Sequence, residues 1–261
     1  MVFLPILDPV LGCASYLLGD DAVGTAVVVD PLEAVGADAY IVRAAEHGLA
    51  IEHIVESHVH ADHASAAAAL GAALRLPVSL HPDAHPTYPH RPLADGEEIA
   101  VGSLALTVWH TPGHTPDSLS LVARDTTRSQ TPWFALTGDA LFVGDVGRPD
   151  LVEGEGEEAV RAAAASLYRS LHQRLLTLPD EVEIYPAHYG ASACGGLFMS
   201  RKPWSTVGFE RRANRALQAP DEQSFLRHVL GLLKPPPPDA RALRRRNLGL
   251  GPDTPAPEAG P

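Results

Sequence analysis

The stretch His58-Val59-His60-Ala61-Asp62-His63, "HVHADH", places three imidazoles and a carboxylate within six residues. It follows the apolar run "IEHIVES" (51–57), whose β-branched content and length predict a buried strand. It precedes "ASAAAALGAALRL" (64–76), rich in alanine and leucine and predicted to be helical. Asp62 alone also suits a helix N-cap, but a cap explains none of the three histidines. A strand-to-helix loop this dense in ligating side chains points to a metal.

Further potential ligands recur at the ends of predicted strands. His114 lies in "HTPGHTPDS" after the strand "LALTVWH" (104–110). Asp139 lies in "TGDA" after "PWFAL" (132–136), and His188 in "YPAHYG" after "EVEIY" (181–185). Taken singly, "PGH" and "TGD" are weak signals; their order along the chain is the stronger one. The remaining histidines, His47, His53, His81, His85, His90, His172 and His228, read as ordinary polar or half-buried side chains. His110, four residues before His114, reads as a strand-end packing residue.

Composition limits the function classes. The chain has 261 residues, 45% hydrophobic content and a formal charge of -12, enough for one sizeable core and a poor match to phosphate-backbone recognition, so no nucleic-acid partner is expected. No apolar stretch reaches the roughly 20 residues of a membrane span. "MVFLPILDPV" (1–10) carries no signal-peptide pattern, and Cys13 and Cys194 form no CxxC. The expectation is a cytoplasmic protein with free thiols.

Further strands are expected at "ASYLLGD" (14–20), "TAVVVDP" (25–31), "PVSLH" (77–81), "EEIAVG" (97–102) and "SLSLVAR" (118–124). Helices are expected at residues 37–48, 154–178, 206–217 and 221–233. The four-proline segment 81–95 is predicted to be irregular. Intermixed strands and helices give an α/β or α+β class, with two sheets between helices. No linker divides the chain, so one domain over residues 1–250 with a C-terminal helical extension is expected, and a disordered tail at 251–261.

The order HxHxDH, PGH, TGD, PAH resembles the metallo-β-lactamase superfamily over residues 12–250, which implies an αββα sandwich with metal at one edge of its sheets. "TGDALFVGDVGRPDL", "YPAHYGASACGG", "STVGFERRANRAL" and "RRRNLG" resemble the persulfide dioxygenases, in particular a bacterial branch often fused to a rhodanese domain. The glyoxalase II thioester hydrolases share the same ligand motifs.

These resemblances imply two uses of the same residues. In a dinuclear zinc or mixed zinc/iron thioester hydrolase, His58, His60 and His114 hold one metal. Asp62, His63 and His188 hold the second, and Asp139 bridges them. In a persulfide dioxygenase one Fe(II) is held by His58, His114 and Asp139, leaving about three octahedral positions open. His60, Asp62, His63 and His188 then orient ligands and water. The implied reaction places both oxygen atoms of O2 on the sulfane sulfur of glutathione persulfide, and hydrolysis releases sulfite and thiol. Its implied partners are the small persulfide, O2, a rhodanese-type sulfurtransferase and a second copy of the chain in a homodimer. A non-catalytic sulfurtransferase-binding module is the remaining reading.

Arg148 in "VGRPDL" is expected either to pair with a substrate carboxylate or to hold its own loop. Tyr189 is expected beside the substrate, although "PAHYGAS" departs from the branch's "PAHGAGS". Cys194 reads as a buried small hydrophobe, and "RALRRR" (241–246) as a solvated face, with a cap over the pocket or a site for an anionic substrate as the alternatives.

Overall fold

The computed structural model describes residues 1–151, 156–190 and 192–251. The expected tail therefore lies outside the described residues, apart from Gly251. The first sheet comprises β1 (Val2–Asp8), β2 (Cys13–Asp20), β3 (Thr25–Val29), β4 (Ala50–Val55), β5 (Val78–Leu80) and β6 (His90–Pro92), adjacent in that order. The second comprises β7 (Glu98–Val101), β8 (Leu104–His110), β9 (Leu119–Asp125), β10 (Phe134–Gly138), β11 (Glu183–Pro186) and β12 (Ser205–Thr206), again adjacent in order. The helices are α1 (Ala37–Glu46), α2 (Ala67–Leu74), α3 (Glu157–Gln173), α4 (Val207–Ala213), α5 (Glu222–Gly231) and α6 (Ala240–Asn247).

Side chains alternate between two cores along each central strand, as a period of two requires. In β2 and β3, Ala14, Tyr16, Leu18, Val27 and Val29 face inward, where they meet Leu104, Leu106 and Val108 of β8 and Leu119 and Leu121 of β9. The intervening Leu17, Ala26 and Val28 face α1 and α2, against Tyr40, Ala44 and Leu70. On the other side, Val122, Ala135 and Ile184 pack on Leu167 and Leu171 of α3 and Phe225 of α5. Both sheets are thus covered on both faces, giving the αββα sandwich and explaining the uninterrupted apolar runs such as "VVV". Among the described residues, no helix is long and apolar enough to cross a membrane.

Several elements depart from the sequence expectation. β1 goes unrecognised because Pro5 interrupts its pattern, yet a strand paired only to β2 tolerates a missing N–H. β6 forms inside the proline-rich segment, paired in parallel with β5. The helix expected over 206–217 ends at Ala213, since Asn214 is extended (φ -73, ψ 120). In the proline-rich C-terminal region, α6 forms over the basic run, the Ala240 N–H donating to Pro237 O just before it.

Candidate metal centre

Four strands deliver side chains to one edge of the sandwich. β4 leads into the histidine loop, β8 into the loop bearing His114, β10 into Asp139 and β11 into His188. Two glycines let these loops close. A Cβ on Gly113 (φ +143) would lie 2.4 Å from the Cα of Leu167, and one on Gly138 (φ +50) would lie 3.0 Å from Ser57 Cβ. The "PGH" and "TGD" glycines are therefore packing requirements of α3 and the histidine loop.

His58, His114 and Asp139 converge, all at most 1% exposed, with ligand atoms mutually within 4.8 Å. Asp139 Oδ2 lies 3.3 Å from His114 Nε2 and 3.6 Å from His58 Nε2. Donors about 3.0–3.5 Å apart are what a first-row ion needs with bonds of about 2.1 Å. Each imidazole is oriented through its other nitrogen: His114 Nδ1–H donates to the Arg148 carbonyl at 2.8 Å, and His58 Nδ1 meets Ser57 Oγ at 2.9 Å. His58 Nε2 is buried without a hydrogen-bond partner. Burial holds both imidazoles below their ordinary pKa, His58 far below with help from nearby His60. Burial opposes ionisation of Asp139, but His188, His58 and His114 outweigh it and keep the carboxyl below its ordinary range. Neutral imidazoles and a carboxylate are the protonation states of ligands. The residues present fit a divalent ion.

The other side chains of the histidine loop take separate places. His60 Nε2 lies 3.3 Å from Asp30 Oδ1 and 3.2 Å from Glu56 Oε2, while its Nδ1 keeps no partner. Glu56 is in turn bonded by Ser65 Oγ–H. His63 Nδ1 meets Asp62 Oδ1 at 2.9 Å. His188 spans two carboxylates, with Nδ1–H donating to Asp139 at 2.7 Å and Nε2 2.8 Å from Asp62. Burial lowers the His188 pKa, but Asp139 and Asp62 more than reverse this and raise it well above its usual value.

Asp30, Asp117 and Asn247, unremarked in the sequence, help to build this centre, as does Arg244 of the basic run. Asp30, ending the "VVVD" run at φ +50, accepts the Ser57 N–H at 2.6 Å. Asp117, just after "PGHT", accepts the Val59 N–H at 2.7 Å. Arg244 of α6 donates to the Val59 carbonyl at 3.1 Å and lies 3.3 Å from Asp117. Asn247 donates to the carbonyls of His60 and His63 at 2.9 and 2.8 Å and accepts the Ser65 N–H at 3.0 Å. The basic run is thus in part a clamp on the histidine loop rather than a wholly solvated face. The one available signal was an acid directly following a strand or a ligand motif.

Cys13 also reaches the centre. It bridges to His188, and the Ala14 N–H donates to Ala187 O at 2.7 Å, joining the two sheets. Its Sγ lies 3.6 Å from His63 Nδ1 and 3.9 Å from Asp62 Oδ2. Cys194 is fully buried, its Sγ within 4.8 Å of ligand atoms of Asp139 and His188. Burial pushes its thiol well above the ordinary value, in keeping with the small-hydrophobe reading.

Arg148 is 7% exposed. Its guanidinium pairs with Asp150 through Nε at 2.7 Å and Nη2 at 2.8 Å, and donates to the carbonyls of Ala193 and Lys234. The loop-holding alternative describes these contacts, while the same residue borders a cavity of about 510 Å³ together with Ser192, Lys234 and Pro235. Gly147 of that wall backs onto the metal centre, since a Cβ there would lie 3.1 Å from His114 Cβ. Tyr189 differs from its expected place: it is 9% exposed and belongs to the inter-sheet core, because its N–H is tied to Gly12 O at 2.7 Å. His110 stacks on His81 at 3.9 Å, apart from the triad.

Comparison with known proteins agrees with this architecture. The metallo-beta-lactamase superfamily model matches residues 8–188. The human protein described as persulfide dioxygenase ETHE1, mitochondrial, is 32% identical over 253 residues, covering 96% of this chain and 89% of that protein. The crystal structure of ETHE1 from Myxococcus xanthus superposes with a TM-score of 0.80 at 30% identity, covering 95% of this chain and 98% of that one. A metallo-beta-lactamase from Staphylococcus aureus superposes with a TM-score of 0.86 at 30% identity, covering 98% of this chain and 74% of that one. The chain belongs to the metallo-beta-lactamase superfamily and, within it, to the family of the ETHE1 persulfide dioxygenases.

Proposed function

We propose that this protein is a mononuclear, iron-dependent persulfide dioxygenase acting on glutathione persulfide or a similar small persulfide. The observation that carries the reading is the convergence of His58 Nε2, His114 Nε2 and Asp139, with each imidazole's Nδ1 already engaged. Two imidazoles and one carboxylate suit Fe(II) with positions left open for substrate and O2. Bound there, iron would relay electrons from the sulfane sulfur to O2. The reaction balances as RSSH + O2 + H2O giving RSH, sulfite and two protons, with the S–S bond broken and three S–O bonds in the product.

The chain's own groups orient and exclude. Ser57 and the Arg148 carbonyl fix the two imidazole rings. His188 N–H holds the Asp139 carboxylate. The 510 Å³ cavity behind Gly147 suits the substrate's organic portion, with Lys234 at its rim as the cation for a carboxylate. Zinc in the same triad would supply no redox electrons. The dinuclear thioester hydrolase requires His60 as a third imidazole on the first metal. Here its Nε2 faces Asp30 and Glu56 and its Nδ1 is buried without a partner, so metal content per chain separates the two readings.

Metal content and O2 uptake with glutathione persulfide test the reading together. About one iron per chain with persulfide-dependent O2 consumption is expected, lost in His114→Ala while His63→Ala keeps substantial iron. Absent O2 uptake with rapid thioester hydrolysis would overturn it, and an empty His63→Ala protein would overturn the mononuclear assignment.

A further inference from the structure

The cavity beside Arg148 carries a carboxylate that the protein itself leaves without a counter-charge. Asp145 lines that cavity and is 5% exposed. Its Oδ1 accepts the Val146 N–H at 2.9 Å and its Oδ2 the Phe198 N–H at 2.9 Å. Among the described residues it has no ion-pair partner, since Arg148, three positions on, is committed to Asp150. Burial pushes the carboxyl above its ordinary pKa range, against the two N–H donors and nearby His228. A buried carboxylate served by two amides alone is under-compensated.

The group is also fixed in place and left open. The Asp145 carbonyl accepts from the Phe142 N–H at 3.0 Å and from Asn214 Nδ2 at 2.9 Å, so backbone and side chain are both locked. Gly196, exposed, leaves the space over the carboxylate free. A Cβ there would lie 2.5 Å from Oδ2 and 3.1 Å from Oδ1. Lys234, exposed, lines the same cavity. With Arg148 and Asp150 neutralising each other, the cavity offers one fixed negative group and one cation on a flexible stem. That pair complements a zwitterion.

We propose that Asp145 is a specificity-determining residue that receives the ammonium group of the persulfide's carrier, so that the cavity selects amino-acid-derived persulfides, such as that of glutathione, over carriers without a free amine. The assignment rests on the dioxygenase reading for its substrate. The ammonium enters over Gly196, while Lys234 meets a carboxylate of the same molecule. Gly147, two residues from Asp145, backs onto His114, so the anchor lies on the wall that adjoins the metal centre. The volume of about 510 Å³ falls in the range of small-molecule sites. An acylated or amine-free carrier strips water from the carboxylate and returns no charge to it. Such a loss discriminates more sharply than an apolar contact does.

Isothermal titration calorimetry of the iron-loaded protein with S-methylglutathione and with its N-acetylated form tests the assignment without turnover. The free-amine ligand is expected to bind about 10–100-fold more tightly, the worth of one charge-assisted contact. Asp145→Asn should bring the two affinities together with iron content unchanged. Gly196→Ala, whose methyl covers the carboxylate, should do the same, and it keeps the test decisive where Asp145→Asn fails to fold. Equal affinities in the unaltered protein, no binding of S-methylglutathione, or an undiminished preference in either folded variant would each overturn the proposal. O2 uptake with glutathione persulfide is scored separately. Its absence with the amine preference intact removes the dioxygenase reading and leaves the ammonium site standing; its presence with equal affinities does the reverse.

Discussion

Asn247→Ala is expected to loosen the metal centre from its distant C-terminal side. The amide of Asn247 donates to His60 O and His63 O and accepts from the Ser65 N–H, at 2.8–3.0 Å. All three bonds are partly buried, and each is worth roughly 0.5–1.5 kcal/mol, so their loss should cost about 2–3 kcal/mol. For a chain of this size that lowers Tm by roughly 5–10 °C. The contacts fix the backbone on either side of Asp62, so ligand geometry should suffer as well. A weakening of metal binding by about 10–100-fold is the usual consequence of losing such support. Differential scanning calorimetry and iron retention against a chelator read the two effects. Asn247→Asp keeps the acceptor for Ser65 but sets a carboxylate against two carbonyl oxygens, and should be at least as damaging. Unchanged Tm and unchanged chelator resistance in Asn247→Ala would refute the clamp, as would a well-tolerated Asn247→Asp.

Three other perturbations follow from named contacts. The Asp117 carboxyl sits below its ordinary pKa: burial opposes ionisation, but Arg244 and the Val59 N–H outweigh it. A depressed folded pKa contributes stability that is present above about pH 4 and lost as pH falls through the folded value. Asp117→Asn should therefore flatten the acid limb of the stability–pH curve measured by urea unfolding; an unaltered limb would contradict this. Arg148→Ala breaks a largely buried pair with Asp150 and two carbonyl contacts. It should destabilise by about 2–4 kcal/mol, with Arg148→Lys rescuing little because one ammonium cannot replace the fork. A change confined to KM, with stability intact, would place the guanidinium on substrate instead. Gly113→Ala forces a Cβ to within 2.4 Å of the Leu167 backbone and should destabilise by about 3 kcal/mol, visible as a lowered urea midpoint; wild-type stability would show that α3 moves freely.

The ligand motifs were legible because each sits where an apolar strand stops, and strand ends are visible in local hydrophobic periodicity. β2, β3, β8 and β10 were legible for the same reason: their runs are buried on both faces. β1 was hidden by Pro5, which only an edge position excuses, and α6 by surrounding prolines and four arginines, since its stability comes from Arg244 and Asn247 gripping another loop. The sequence alone thus established the superfamily and the set of metal-capable residues. Their division was a tertiary matter: His58 with His114 and Asp139, His60 with Asp30 and Glu56, and His63 and His188 with Cys13 and Asp62. Spacing within "HVHADH" cannot encode that division, because each partner arrives from a different strand. Cys13 in particular meets His188 only where the start of β2 in one sheet bridges to the loop leaving β11 in the other.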